Sequence, residues 1–328
     1  MDNILWNPGP VNTHNDIKNE YIKYVDSCHR EKFHLELKNE VASKIFKLYD
    51  INPLDWEIKF LFGSGTLAID SIISSLPLNT KLYVYNHGVY GQRAINYAKM
   101  HNIDLSNDPN DADFYYLVHH ETTDGMLNLI DEWSKFLNKP IIIDAISSFG
   151  VEDINFNDKN LYAVISNSNK CLQSLPGIAF VIYRKNINFY TRNLYSSIPV
   201  YKNSLVPYTE STGLFAALNK SLDLNSKNSL RQNCEEISIY VDKEMEKLGF
   251  IKKTYNDQFT KNSLVLSQYD YNFPFKLDLE NLHDFLKEKN HIIYISLNSL
   301  RLSFIGKKSL DDAQDLIEHI RAYLMSIE

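Results

Sequence analysis

Two short apolar runs constrain this chain more than any other feature, because each leads into a residue capable of chemistry. Ile141-Ile142-Ile143 runs into Asp144, and Ala163-Val164-Ile165 leads through Ser166-Asn167-Ser168-Asn169 to Lys170. Runs this short and apolar read as buried strands. A carboxylate at the mouth of one buried strand and a lysine just past the next can meet in space. Apolar neighbours destabilise an ammonium and make the amine nucleophilic. Pyridoxal 5′-phosphate (PLP) needs that pair, an amine for a Schiff base and an acid that keeps the ring nitrogen protonated. Taken singly, Asp144 reads as a turn cap and Lys170 as a solvated surface lysine.

The segments before them supply the rest of such a site. An apolar strand over 57–62 is followed directly by Gly63-Ser64-Gly65-Thr66, and a helix begins at Leu67. A glycine turn between strand and helix lets backbone N–H groups and the hydroxyls of Ser64 and Thr66 converge on a phosphate at the positive helix end. A strand over 81–85 leads through Asn86-His87-Gly88-Val89-Tyr90-Gly91-Gln92-Arg93 into another helix, and Tyr90 offers a flat face for a pyridine ring. A strand over 114–119, a loop at 121–125 and a helix over 127–137 complete the alternation. It predicts an α/β layer sandwich with a mostly parallel sheet, whose ligands sit beyond the carboxyl ends of the strands.

After Lys170 the pattern predicts a strand over 178–183, a loop over 201–212, and helices over 212–222 and 230–248. A smaller α+β unit follows, with strands at 264–266, 292–295 and 300–304 and helices at 279–289 and 309–326. The division expected is an N-terminal arm (1–15), a large cofactor-binding domain (16–222) and a small C-terminal domain (223–328).

Three segments carry a resemblance: DAISSFG from Asp144, SNKCLQSLPGIAFV from Ser168 and HHETTDGMLN from His119. They resemble the class V aminotransferases of PLP fold type I, with a three-layer α/β/α large domain, and are most similar to the 2-aminoethylphosphonate–pyruvate transaminase branch. The resemblance covers nearly the whole chain and is strongest over 63–180. It implies that Lys170 carries the cofactor and serves as general base, and that Asp144 faces the ring nitrogen. Ser64, Gly65 and Thr66 would cup the phosphate, Tyr90 would stack on the ring, and Thr123 would bond near the phenolic oxygen. Thr209 would reach the partner's cofactor phosphate across a homodimer. Gly9, in the Asn7-Pro8-Gly9-Pro10 arm, would line the active-site entrance, and Arg301 would clamp a substrate carboxylate.

The implied reaction moves an amino group from 2-aminoethylphosphonate to pyruvate, giving phosphonoacetaldehyde and L-alanine, or the reverse. The chain departs from the family pattern in several places. His87 precedes the glycine as an insertion, Asp124 replaces a threonine, Ser303 a glycine, and the stretch over 100–114 is short. An alanine–glyoxylate or serine–pyruvate transaminase would share every catalytic residue. A cysteine desulfurase or another lyase of this fold would carry histidine where Asn169 stands. A non-catalytic binding protein of this fold would be expected to have lost Lys170 or Asp144.

Composition narrows the alternatives. With 328 residues, 44% of them hydrophobic, the chain can bury a large core. A net charge of −7 without a basic cluster disfavours nucleic acid and anionic membrane as partners. No run is long and apolar enough to span a bilayer, and the N-terminus lacks a signal-peptide core. The three cysteines, Cys28, Cys171 and Cys234, are widely spaced and form no zinc-type pair. A cytoplasmic enzyme with reduced thiols and no metal is expected.

Overall fold

The computed structural model describes residues 3–275, 277–296 and 298–327. Its centre is a seven-stranded sheet in the spatial order Trp56–Phe62, Ile178–Arg184, Leu161–Asn167, Ile141–Asp144, Phe114–Val118, Lys81–Tyr85 and Asp104–Leu105. Neighbours pair in parallel except at Ile178–Arg184, which is antiparallel to both strands beside it. The exception follows from chain length. Only the short loop after Lys170 separates it from Leu161–Asn167, too little for the crossover that a parallel neighbour requires.

Strand alternation splits the apolar residues between two cores. Ile141 and Ile143 face Val41, Ile45, Phe215 and Leu218 on one side. Ile142 faces the other, with Ile69, Ile72, Ala94 and Ala98. The first set comes from helices Lys32–Lys47 and Thr212–Leu224, the second from helices Gly65–Ser74 and Val89–Met100. This is the α/β/α sandwich expected from the alternation. The short stretch after Met100 holds a two-residue edge strand and one 3₁₀ turn, Pro109–Asp111.

A third core joins a four-stranded antiparallel sheet to helices Lys227–Lys247, Leu279–Glu288 and Leu310–Ile327. The N-terminal arm is part of it. Ile4–Leu5 pairs in parallel with His291–Ile292, and Trp6 is fully buried. The indole N–H can only donate, so its 3.1 Å bond makes His291 Nδ1 the bare nitrogen and leaves the ring proton on Nε2, 2.9 Å from Asp315. Lys308 Nζ donates to the carbonyls of Leu5 (2.7 Å) and Ile305. Among the described residues no helix is long and apolar enough to cross a membrane.

Three expectations shift. The helix expected over 127–137 begins only at Ile130, because Met126–Asn128 is a strand between His120–Glu121 and Thr260–Asn262. Gly125, at φ +81°, turns the chain back on itself, and cross-strand pairing overrides the helical spacing. The loop expected over 201–212 opens inside a short helix, Ile198–Asn203. The strand expected at 264–266 begins where that range ends and runs Leu266–Tyr271, alongside Ser299–Ser303.

Candidate active site

Asp144 ends its strand at the carboxyl edge of the sheet and is 4% exposed. Tyr116, on the neighbouring strand, donates its hydroxyl to Oδ2 at 2.9 Å, and the Ile146 N–H donates to Oδ1 at 3.0 Å. Burial pushes the carboxyl up to about 6, against the pull of those two donors and of Lys170. Burial and the Asp144 charge together push the Tyr116 phenol far up, so it remains a donor.

Lys170 sits three residues beyond the end of Leu161–Asn167, in a loop closed by bonds from Gln173 N to Lys170 O and from Ser174 N to Ser168 O, both 2.9 Å. Its Nζ lies 5.8 Å from the centre of the Tyr90 ring. The N-terminal arm passes over the lysine stem. Gly9 has φ +141°, and a Cβ there would lie 3.2 Å from Lys170 Cγ. Backbone strain and the close approach both call for glycine at this position.

The glycine turn opens helix Gly65–Ser74. A Cβ on Gly65 would come within 2.9 Å of Ile146 Cδ1 and 3.0 Å of Asn167 Nδ2, so the helix start lies directly against the ends of the two central strands. Ser64 is exposed, and its hydroxyl does not cap the helix. Thr66 Oγ1 accepts a 3.0 Å bond from Arg93, whose guanidinium lies 5.1 Å over the Tyr90 ring. Hydroxyls, helix N-terminus and an arginine therefore converge where the sequence predicted an anion site. Arg93 stood in the recognised motif without a role.

In the loop after Phe114–Val118 the two threonines make different contacts. Thr123 turns away, its hydroxyl and N–H bonded to Glu121 Oε1 at 2.8 and 3.0 Å. Thr122 takes the inward position instead, donating to the Tyr90 hydroxyl at 3.2 Å while its carbonyl accepts from Arg301 at 3.0 Å. Both threonines lie in the turn between His120–Glu121 and Met126–Asn128, and the conformation of that turn gives them different partners. Arg301 is 9% exposed and lies 4.1 Å over the Tyr294 ring.

The two departures His87 and Asp124 meet at 3.1 Å, with Tyr255 and Lys253 on the same carboxylate oxygen at 2.5 and 3.3 Å. Burial acts to raise Asp124, but Tyr255, Lys253 and the remaining donors outweigh it and hold the carboxyl below its usual range. Thr209 is exposed on the single chain, apart from this cluster of contacts. The Cys171 thiol is buried and pushed far up by that burial, unsuited to nucleophilic work.

The comparisons with known proteins agree with this geometry. No family model matches the chain. A 2-aminoethylphosphonate–pyruvate transaminase of Lysinibacillus sphaericus is 25% identical, with 98% of this chain and 97% of the relative aligned. Another, from Bacteroides fragilis, is 26% identical over 97% of this chain and 98% of its own length. Among solved structures, an aspartate aminotransferase of Thermus thermophilus has a TM-score of 0.86 at 18% identity, covering 99% of both chains. The ureidoglycine–glyoxylate aminotransferase of Bacillus subtilis has a TM-score of 0.85 at 16% identity, covering 99% of this chain and 94% of its own. The chain has the fold of these solved aminotransferases, and its full-length curated relatives are transaminases. The class V resemblance read from its motifs is borne out, and its full-length curated relatives carry the name 2-aminoethylphosphonate–pyruvate transaminase.

The residues fit the cofactor PLP. Asp144 is a buried carboxylate with two neutral donors and no ion-pair partner among the described residues, the setting a protonated ring nitrogen would complete. The Asn167 Oδ1 beside Gly65 is buried and unpartnered.

The same burial makes the cofactor-free chain sensitive to acid. His119 and His120 are buried and held neutral, pushed down to about 3 and about 4 by desolvation first. The unfolded chain protonates them near 6.5, so stability falls as pH drops from about 6.5 towards 4, by about 2 kcal/mol per histidine at pH 5. Asp144 has the opposite sign. Its folded value is raised, so its burden at pH 7 is relieved as pH falls through about 6, returning about 1 kcal/mol by pH 5. Urea unfolding of cofactor-free protein should therefore show a net loss of about 3 kcal/mol between pH 7 and pH 5. Equal or greater stability at pH 5 would contradict buried neutral histidines.

Proposed function

We propose that this aminotransferase moves the amino group of 2-aminoethylphosphonate to pyruvate, giving phosphonoacetaldehyde and L-alanine, or runs the reverse. The observation that carries the chemistry is the convergence of Asp144, Lys170 and Tyr90 at the carboxyl edge of the sheet, with Arg301 joined to it through Thr122. The choice of phosphonate rests on the names of the full-length relatives.

PLP, when bound, supplies an electron sink beside the amine-bearing carbon of the substrate. The chain's own residues do the rest. Asp144 holds the proton on the ring nitrogen, and Tyr116 and Ile146 keep its oxygens aimed. Ser64, Gly65 and Thr66, with Arg93 behind Thr66, hold the phosphate, and the face of Tyr90 packs on the ring. Lys170 Nζ would hold the cofactor, and as a free amine would take the proton from the substrate carbon and return it. Arg301 binds the carboxylate of pyruvate or alanine through its free edge, where Nε is buried and unpartnered. Gly9 and the arm keep water from the lysine stem. The phenolic-oxygen role expected of Thr123 passes to Thr122.

Thr209 acts only in a homodimer, in which its exposed segment would reach a second copy. The exposed Leu194, Tyr195 and Leu205 nearby in sequence support that assembly. The division into arm, large and small domain is supported by the third core, which is drawn mostly from residues from Leu230 onward with Trp6, Val11, Val151 and Cys171 packed into it, and a cytoplasmic location accords with the unpaired cysteines.

The test is the absorbance spectrum of the protein before and after 2-aminoethylphosphonate, with L-alanine in a parallel cuvette. Loss of the yellow band with both amines, reversed by pyruvate, is expected. Loss with alanine alone would move the donor to the alanine–glyoxylate type. Absence of a yellow band after PLP is added would overturn the roles given to Lys170 and Asp144.

A further inference from the structure

His120 carries a nitrogen that the proposed reaction leaves unused. Its ring is 1% exposed, and Nδ1 lies 3.0 Å from the carbonyl oxygen of Ser147. A carbonyl only accepts, so Nδ1 bears the proton and Nε2 is a bare acceptor. That Nε2 is buried and has no partner among the described residues. The main chain that carries the ring is held on both sides. Ser147 Oγ donates to the His120 carbonyl at 2.9 Å, and His120 is locked opposite Leu127 in the hairpin.

Two features bring this imidazole into the neighbourhood of the catalytic lysine. The Ser147 carbonyl that anchors Nδ1 also accepts the thiol of Cys171 at 3.2 Å, so the imidazole and the residue after Lys170 meet on one oxygen. His120 also lies two residues from Thr122, which touches Tyr90, and Tyr90 lies under Lys170 Nζ. Burial first, and the Lys170 charge with it, keep the imidazole neutral down to about 4, so it remains an acceptor at working pH. An unmade buried acceptor is costly, and Lys170 brings three donors on a flexible four-carbon stem.

We propose that His120 is a positioning residue whose Nε2 accepts a hydrogen bond from the Lys170 ammonium whenever that amine is not joined to the cofactor. The inference rests on the aminotransferase role given to Lys170. It assigns the protonated lysine a fixed resting place between taking the proton and returning it. The other titratable groups around the pair are Asp144, Tyr90 and Cys171 near Lys170, and Asp124 and His119 near His120.

The test uses cofactor-free protein and PLP itself as probe. The rate at which the yellow band forms tracks the unprotonated fraction of Lys170, so its pH midpoint reports the lysine. His120→Leu, which removes the acceptor, should lower that midpoint by about one pH unit, and His120→Gln, which restores one, should return it most of the way. An unchanged midpoint in a folded His120→Leu protein would overturn the inference while leaving the cofactor role intact. Failure of the wild-type protein to form the band would instead overturn the cofactor role. A second measurement needs no substitution at His120. In long-range 1H–15N spectra of cofactor-free protein, His120 should show its proton on Nδ1. Its Nε2 resonance should shift towards the unbonded value in Lys170→Ala. A proton on Nε2, or no shift, would rule the contact out.

Discussion

Lys170→Ala is expected to form no yellow band with PLP and to lose at least about 10⁴-fold in transamination, because one side chain supplies both the covalent link and the general base. The fold should survive. Lys170 is half-buried at the site's mouth, and the loop that presents it is closed by main-chain bonds that do not involve its side chain. Removing the stem leaves a gap under Gly9 rather than in a core, so unfolding free energy should change by no more than about 1 kcal/mol. Lys170→Arg separates charge from chemistry. It keeps a cation near Tyr90 but offers no nucleophile, and should be as inactive as the alanine variant. Turnover above one part in a hundred in either variant would sink the assignment.

Asp144→Asn is expected to act in opposite directions on activity and stability. In the cofactor-free chain the ionised carboxylate is buried with only a hydroxyl and one N–H to hold it, and burial has raised it to about 6. Relative to the unfolded chain, keeping it ionised at pH 7 costs about 2–3 kcal/mol. An amide fills the same space without the charge, so the cofactor-free variant should gain about 1–2 kcal/mol in urea unfolding at pH 7. The gain should shrink by about 1 kcal/mol by pH 5 and disappear only near pH 4, where the unfolded carboxyl is protonated as well. Activity should fall by about 10²–10³-fold, because an amide cannot hold the ring nitrogen protonated. A variant less stable than wild type at pH 7 would mean that Asp144 already has a buried cation partner.

Much of the fold was legible because burial imprints a period on sequence. The central strands, the glycine turn and the paired Asp144 and Lys170 all lie in short local patterns, and each appears where its pattern put it. Local pattern failed where a partner distant in sequence decided the outcome. Met126–Asn128 has helical spacing, yet pairs with Thr260–Asn262. Thr122 and Thr123 are chemically equivalent neighbours in one turn, and only the folded turn gives the first its contacts with Tyr90 and Arg301.

His87 and Asp124 looked like two unrelated departures from a motif until folding set them 3.1 Å apart, with Lys253 and Tyr255 on the same carboxylate. The bond from Trp6 to His291 spans nearly the whole chain, and it fixes the arm that lays Gly9 on Lys170. The sequence by itself determined most of the central strands, the glycine turn that opens a helix, and the placement of Asp144 and Lys170 at and just past neighbouring strand ends. These depend on the periodicity and backbone freedom of a few adjacent residues. Only the tertiary structure decided that Met126–Asn128 pairs as a strand and which partners Thr122, Arg301 and His120 contact. Those choices depend on register and on how distant segments close on one another, and neither is encoded within any single segment.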